Sequence, residues 1–311
     1  MMAEIITLGE ILVEIMRPTA GQPLDRPGEF RGPFASGAPA IFAVAAARLG
    51  LNTAFIGAIG EDAFGRLLRA RLSTEGVDTS GLRVAQGYAT GAAFVAYDDS
   101  GEREFVFHIS HAAAGQIQPE LISPVLFENV KWLHISGSTI FLNDNIRASC
   151  LRALELAKAA GGKISLDPNL RSELMPLEQA REILAHFISS ADLLLPTLSE
   201  SYALTGESDI ERASQALAVK PDAIFVIKRG SAGCSVVHRG RRIDIPGFPV
   251  EEIDPTGAGD CFSAAFIAGF EAGWPLEKVG LFANAAGALA VTKIGPMEGA
   301  PTRKQVEDFY A

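Results

Sequence analysis

Hydrophobic and polar positions in the middle of the chain switch repeatedly between two periods. The short apolar runs Trp132–Ser136, Lys163–Asp167, Leu193–Leu195 and Ala223–Lys228 read as buried strands. Between them Asp144–Ala160, Leu177–Ser189 and Ser199–Thr205 carry helical patterning, the first with Asp144 as its cap and Gly161-Gly162 as its stop. Such strand–helix traffic predicts an α/β protein whose central, mostly parallel sheet is flanked by helices. The last third differs. Ser235–His238 and Arg242–Ile245 flank Arg239-Gly240-Arg241, the pattern of a hairpin. Ala258–Glu271 and Leu276–Thr292 are apolar nearly all round, separated by Gly273-Trp274-Pro275, so both helices are expected in a core.

The N-terminal third departs from this regime. Ile11–Met16, Glu29–Phe34, Ala92–Tyr97 and Arg103–His108 read as extended. Gly21, Pro23, Pro27 and Gly28 punctuate the first pair, and Asp98, Ser100 and Gly101 turn the second. These segments predict a small antiparallel β lid inserted at about residues 11–34 and 91–108. Within the last strand Phe105 and Phe107 fall on one face, Val106 and His108 on the other. Both faces need cover, one from the α/β body and one from a second copy, so a homodimer through the lid strands is expected. With no repeat or low-complexity tract, residues 1–311 are read as one domain.

Composition narrows the function classes. The 311 residues are 48% hydrophobic, enough for a real core, and carry a formal net charge of −10. That charge argues against duplex nucleic acid or an anionic membrane as partner, so any bound phosphate must be held by local donors. Cys150, Cys234 and Cys261 lack metal or disulfide spacing, which fits a reducing cytoplasm. Met1 to Glu14 has no basic stretch of the kind that opens a secretory signal. The longest apolar run, Ala38 to Ala47, contains Pro39 and is too short to span a bilayer.

The chemistry concentrates in Asp254-Pro255-Thr256-Gly257-Ala258-Gly259-Asp260 at the mouth of an apolar helix. Small residues admit a ligand close to the backbone, and the free N–H groups of a helix start attract anions. A carboxylate beside such a cradle suits phosphoryl transfer to an alcohol: the cradle neutralises charge while the carboxylate takes the hydroxyl proton. The same residues would equally serve a helix start whose Asp merely stabilises the dipole. Phe262 stands where a dinucleotide G-x-G-x-x-G would close, and no G-x-x-x-x-G-K-[ST] occurs.

Asp254 to Phe266 resembles the C-terminal signature of the ribokinase-like (PfkB) carbohydrate kinases, and the resemblance extends along the chain. Gly9-Glu10 ends the first strand as in that family. Ser36-Gly37-Ala38-Pro39-Ala40 with Ala43 to Gly50 resembles its N-terminal signature, and Gly57 to Gly65 its G-x-x-G-x-D-x-x-G. Asp167-Pro168-Asn169-Leu170-Arg171 is similar to the D-x-N-x-R of its sugar-acid kinases and fructokinases, Lys228 to Gly233 to its nucleotide-side glycine loop, and Pro301 closes a tail of the expected kind.

The resemblance implies an ATP- and Mg²⁺-dependent sugar kinase on a ribokinase-like fold, with a monovalent cation such as K⁺ as a further cofactor. Asp260 would be the catalytic base, with Gly257, Ala258 and Gly259 the anion hole. Glu14, Gly37, His108 and Arg171 would face the substrate, and Thr197, Lys228, Gly230 and Gly233 the nucleotide. Glu200 would help place the metal through water. Three positions depart from the family pattern. Ile41 replaces a frequent sugar-contacting Asn, Thr197 replaces an Asn near the phosphates, and His108 replaces an Arg that could grip a carboxylate bidentately. Glu14 and His108 favour a neutral ketohexose of the tagatose or fructose type, and Gly32 to Phe42 is most similar to tagatose kinases. Asp167 to Arg171 keeps 2-keto-3-deoxygluconate as the alternative, and a non-catalytic sugar- or nucleotide-binding protein is the third reading.

Overall fold

The computed structural model describes residues 3–99, 103–217 and 220–310. Thirteen strands are found among them: β1 Ile5–Leu8, β2 Leu12–Met16, β3 Arg31–Ser36, β4 Thr53–Ile59, β5 Leu82–Val84, β6 Gly91–Tyr97, β7 Arg103–His108, β8 Trp132–Ser136, β9 Lys163–Asp167, β10 Leu193–Leu194, β11 Ile224–Lys228, β12 Cys234–His238 and β13 Arg241–Ile245. Nine form one sheet in the order β13-β12-β11-β10-β9-β8-β1-β4-β5. It is parallel from β5 to β11, and β12 and β13 add an antiparallel edge. From β1 the chain runs outward to β4 and β5, then returns to β8 on the other side. The order therefore reverses between β1 and β8, and the crevice beyond their carboxyl ends is where an open α/β sheet takes its ligands.

Alternation along the strands divides the core in two. Ile5, Phe55, Leu193 and Val226 pack with helices 38–48, 258–271 and 276–290, whereas Ile6, Ile56, Leu194 and Phe225 pack with helices 144–159 and 177–190. Helices 258–271 and 276–290 are buried along most of their length, as their all-round apolarity requires. Helix Asp144–Ala159 is capped one residue earlier than expected. Asn143, not Asp144, accepts the Ile146 N–H at 3.0 Å, while Asp144 projects into solvent beside Arg147. The last long helix stops at Ala290 rather than Thr292. The β12–β13 hairpin turns on Arg239 and Gly240, whose φ values of 49° and 73° are both left-handed, as a two-residue turn demands.

Strands β3-β2-β6-β7 form a second, four-stranded sheet. Its two outer junctions are antiparallel and its central junction, β2 with β6, is parallel. The turn expected at Asp98, Ser100 and Gly101 lies in part outside the described residues, which omit Ser100 and Gly101. The root of β6 is fixed to the body. Asp62, the cap of helix 63–74, accepts the Thr90 N–H at 2.7 Å and the Thr90 hydroxyl at 2.7 Å, and Thr90 Oγ1 accepts the Gly60 N–H. Among the described residues no helix is long and apolar enough to cross a membrane.

One buried group makes stability pH-dependent. His134 on β8 is fully buried and stacks on Phe42 with ring centroids 3.8 Å apart. Its Nδ1 meets Ser165 Oγ at 3.0 Å and its Nε2 has no partner. Burial, and then the Lys228 charge, lowers its pKa from 6.5 to about 3. The folded state thus resists a proton that the unfolded chain accepts, so stability is lost as pH falls below 6.5. Between pH 7 and pH 5 the loss from this group is about 2 kcal/mol. Urea unfolding at the two pH values should show a smaller decline in His134→Gln than in wild type; equal declines would remove His134 as the cause.

Candidate active site

The cleft at the β1/β8 reversal, about 240 Å³, gathers side chains from both sheets. On the body side, Gly257 caps helix Ala258–Glu271 in the left-handed conformation, φ 86°. A Cβ there would stand 2.5 Å from the Pro296 carbonyl oxygen, so only glycine fits. Asp260 lies in the first turn and is buried. Burial, and then the nearby Asp167 charge, pushes its pKa well above the carboxylate range, against Lys228 and Arg171. A Cβ on Gly259 would lie 3.3 Å from Lys228 Nζ, so the ammonium sits beside the helix mouth. Lys228 Nζ bonds Asp167 Oδ2 at 2.5 Å. Burial alone would lower the Lys228 pKa, but Asp167, Glu200 and Asp260 outweigh it and hold the lysine charged.

Opposite them stands the small sheet. Glu14 of β2 is buried; Ser36 Oγ donates to its Oε2 at 3.0 Å, and its Oε1 has no partner. Burial, and then Asp254, raises its pKa to about 7. Gly37 lines the cleft with φ 109°, and a Cβ there would meet the Glu10 carbonyl oxygen at 2.4 Å. Ile41 also lines the cleft. Arg171 draws down the proton affinity of both Glu10 and Asp260.

Several expected residues sit differently. His108 is exposed on the outer face of β7, edge-on to Phe94, because the period of two that brings Phe105 and Phe107 into the cleft turns His108 away. Gly230 and Gly233 shape the turn after β11 and do not line the cleft. A Cβ on Gly233, φ 92°, would stand 2.1 Å from the Ile245 carbonyl oxygen. Thr197 and Glu200 do line it but are bound to each other in a capping box: Thr197 N–H and hydroxyl donate to Glu200 Oε2 at 2.7 and 2.9 Å. Glu200 Oε1 accepts the Leu170 N–H at 2.8 Å.

Other cleft residues had no place in the sequence reading of the site. Arg103 enters from β7 on the side of Phe105 and Phe107, at positions i, i+2 and i+4. Asn169 enters with φ 36°, its amide donating to Ser136 Oγ at 3.0 Å. Glu10 is pinned by Ser138 and Thr139 hydroxyls at 2.7 and 2.6 Å.

Comparison with known proteins gives this arrangement a family. The model of the pfkB family carbohydrate kinases matches residues 2–303. The chain belongs to that family. As a pfkB carbohydrate kinase it is a sugar kinase, and the catalytically silent reading falls away. It is 34% identical to Fructokinase-1 of Oryza sativa subsp. japonica over an alignment of 312 positions that covers 97% of this chain and 96% of that one. An E. coli protein provisionally named ribokinase II, solved with ATP and Mg²⁺, superposes with a TM-score of 0.92 and 38% identity over 99% of both chains. Fructokinase from Vibrio cholerae O395, solved with fructose, ADP and calcium, superposes with a TM-score of 0.89 and 29% identity over 100% of this chain and 99% of that one.

The buried charges around Lys228 generate a prediction independent of substrate. Lys228→Ala removes the ammonium bonded to Asp167 and leaves Asp167 and Asp260 with Arg171 as their remaining cation. Removing one partner of a buried pair costs about 3–5 kcal/mol. Denaturant titration should show a loss of that order; a loss below about 1 kcal/mol would mean water already reaches the pair.

Proposed function

We propose that the protein is an ATP-dependent kinase for a neutral ketohexose, with fructose the preferred member. The observation that carries the reading is the buried Asp260 in the first turn of the Gly257 helix, beside the Lys228 ammonium and across the cleft from the free oxygen of Glu14. Asp260 takes the proton of a primary hydroxyl, whose oxygen attacks the γ-phosphorus as ADP leaves. The Gly257, Ala258 and Gly259 amides and the helix dipole receive the negative charge, and Lys228 and Arg171 add to it. Glu14 accepts hydrogen bonds from other sugar hydroxyls through its unpartnered Oε1.

Mg²⁺ belongs to this reading. Among the described residues no group of three or more His, Cys, Asp or Glu could hold a metal ion, so the fit is that of an ion carried on the nucleotide phosphates. Glu200 lines the cleft and would reach such an ion through water. The ion would supply charge neutralisation at the phosphates.

Fructose is favoured by the fructokinase relatives and by the carboxylate on the sugar side. Arg103 and Arg171 in the cleft favour a second reading, a sugar acid of the 2-keto-3-deoxygluconate type. Measuring kcat/KM for fructose, tagatose and 2-keto-3-deoxygluconate with MgATP decides. Fructose should lead, and excess EDTA should abolish turnover. A sugar acid ahead by about tenfold, some 1.4 kcal/mol of transition-state preference, would overturn the neutral-sugar reading.

Asp260→Asn keeps the shape and removes the base. It should lower kcat roughly 100- to 10,000-fold with little change in sugar KM. Because the Asp260 pKa is raised, wild-type kcat/KM should fall with decreasing pH at values above those of an ordinary carboxylate. Near-normal kcat in the variant would sink the assignment.

The outer face of the small sheet carries Phe30 and Val106, 43% and 40% exposed, with Phe94 and His108. A homodimer through this face is part of the proposal. Light scattering at micromolar concentration should give twice the chain mass, and Val106→Glu should halve it; a monomeric wild type would refute the pairing.

A further inference from the structure

Strand β6 is held at both ends by different means. Its root is clamped at Thr90 through three hydrogen bonds to the Gly60–Asp62 turn. At its tip, the half-buried Tyr97 donates its hydroxyl to Asp254 Oδ1 at 2.9 Å, across 157 residues of chain. Tyr97 stands opposite Arg103 in the β6–β7 register, so it shares the inner face with the arginine that enters the cleft.

Its acceptor is a junction. Asp254 is buried and opens the loop that leads through Thr256 and Gly257 to the helix mouth. Besides Tyr97, its Oδ1 accepts the Thr256 N–H at 3.0 Å and its Oδ2 accepts the Gly295 N–H at 2.9 Å. Gly295 precedes Pro296, whose carbonyl oxygen bounds Gly257. One carboxylate thus holds the loop before the anion-binding glycines, the segment packed beneath them and the inner face of the small sheet. Two of its three donors are backbone amides that stay with the body. The third is a side chain on the sheet and can leave with it.

We infer that Tyr97 is a positioning residue, a latch that couples closure of the small sheet over the cleft to the placement of the anion-binding loop. Its hydroxyl pays for itself twice: it holds the sheet down, excluding water as a competing acceptor for the γ-phosphoryl group, and it completes the hydrogen bonding of Asp254. Burial, and then Asp254, keeps the phenol protonated and able to donate throughout the neutral range, so the latch does not open with pH in that range. The inference rests on phosphoryl transfer in this cleft and not on the choice of fructose.

Tyr97→Phe removes the hydroxyl and leaves the ring to fill its space. With the latch lost, kcat/KM for the sugar should fall about tenfold, the cost of one hydrogen bond to a charged acceptor. A structural role alone could also slow the enzyme, so the deciding readout is coupling. ATP hydrolysis without sugar, in which water oxygen bonds the γ-phosphorus and ADP and phosphate are released, should rise relative to sugar phosphorylation in the same preparation. Thermal denaturation of both proteins checks that folding is unchanged. Wild type inactive on every sugar would fail the kinase reading itself. Wild type active with Tyr97→Phe unchanged in both kcat/KM and hydrolysis ratio would overturn the latch, as would an equal loss of both activities.

Discussion

A lysine held among carboxylates governs the cleft. Lys228 ends β11 and Asp167 ends β9, with the two-residue β10 between them in the sheet. Two strand spacings span about 9.6 Å, a gap that the lysine and aspartate side chains close together. Beyond Leu194 the chain stays between them, Leu195 N–H donating to the Leu166 carbonyl at 2.9 Å and Lys228 N–H to the Pro196 carbonyl at 2.8 Å, so the ion pair reaches across this backbone. Burying such a pair gains little stability by itself, since desolvation offsets most of the attraction. What it secures is the environment of Asp260: a positive charge at the helix mouth, held by one carboxylate so that it remains available to another anion. Strand order and the Gly257 turn are both needed for that one arrangement.

The α/β core was largely legible because its signals are local and repeated. Buried parallel strands show as short apolar runs, and helices 258–271 and 276–290 show as segments without a polar face. Boundaries slipped where capping chemistry decides them. Asn143 and Asp144 are both good caps, and only the backbone conformation selects Asn143. The small sheet was legible as four strands but not as a pairing. Nothing in the alternation of β2 and β6 distinguishes a parallel from an antiparallel partner, and the segments between them, which include two body strands and two helices, determine the direction.

The site divides along the same line. Glu14, Gly37, Arg171 and the Gly257–Asp260 mouth were readable, since each depends on a short motif, and the structure brings them into one cleft. His108 was placed there by matching a segment, against the parity of its own strand. The same parity points Arg103, five residues earlier on the strand, inward, in a stretch with no motif to draw notice. Thr197 and Glu200 were found for their positions, but the capping box that ties Thr197 to Glu200 Oε2 was not. Glu10 escaped notice because its importance comes from Ser138 and Thr139, about 130 residues distant in sequence, which only the β1–β8 pairing brings near.

The electrostatics of Asp260 explain why so many charges are gathered around one carboxylate. As the base of the proposed reaction, Asp260 would work best with a pKa near the working pH, and an ordinary aspartate is far too acidic. Burial and Asp167 raise its proton affinity, while Lys228 and Arg171 act in the opposite direction. On the proposed reading, entering phosphates act in the same direction as Asp167, and the metal they carry acts in the direction of Lys228. The metal offsets only part of the phosphate charge, so a bound nucleotide acts on balance in the direction of Asp167 and increases the demand on Lys228 and Arg171. Fewer cations in the cleft would raise the proton affinity of Asp260 further, and more would lower it toward that of an ordinary carboxylate.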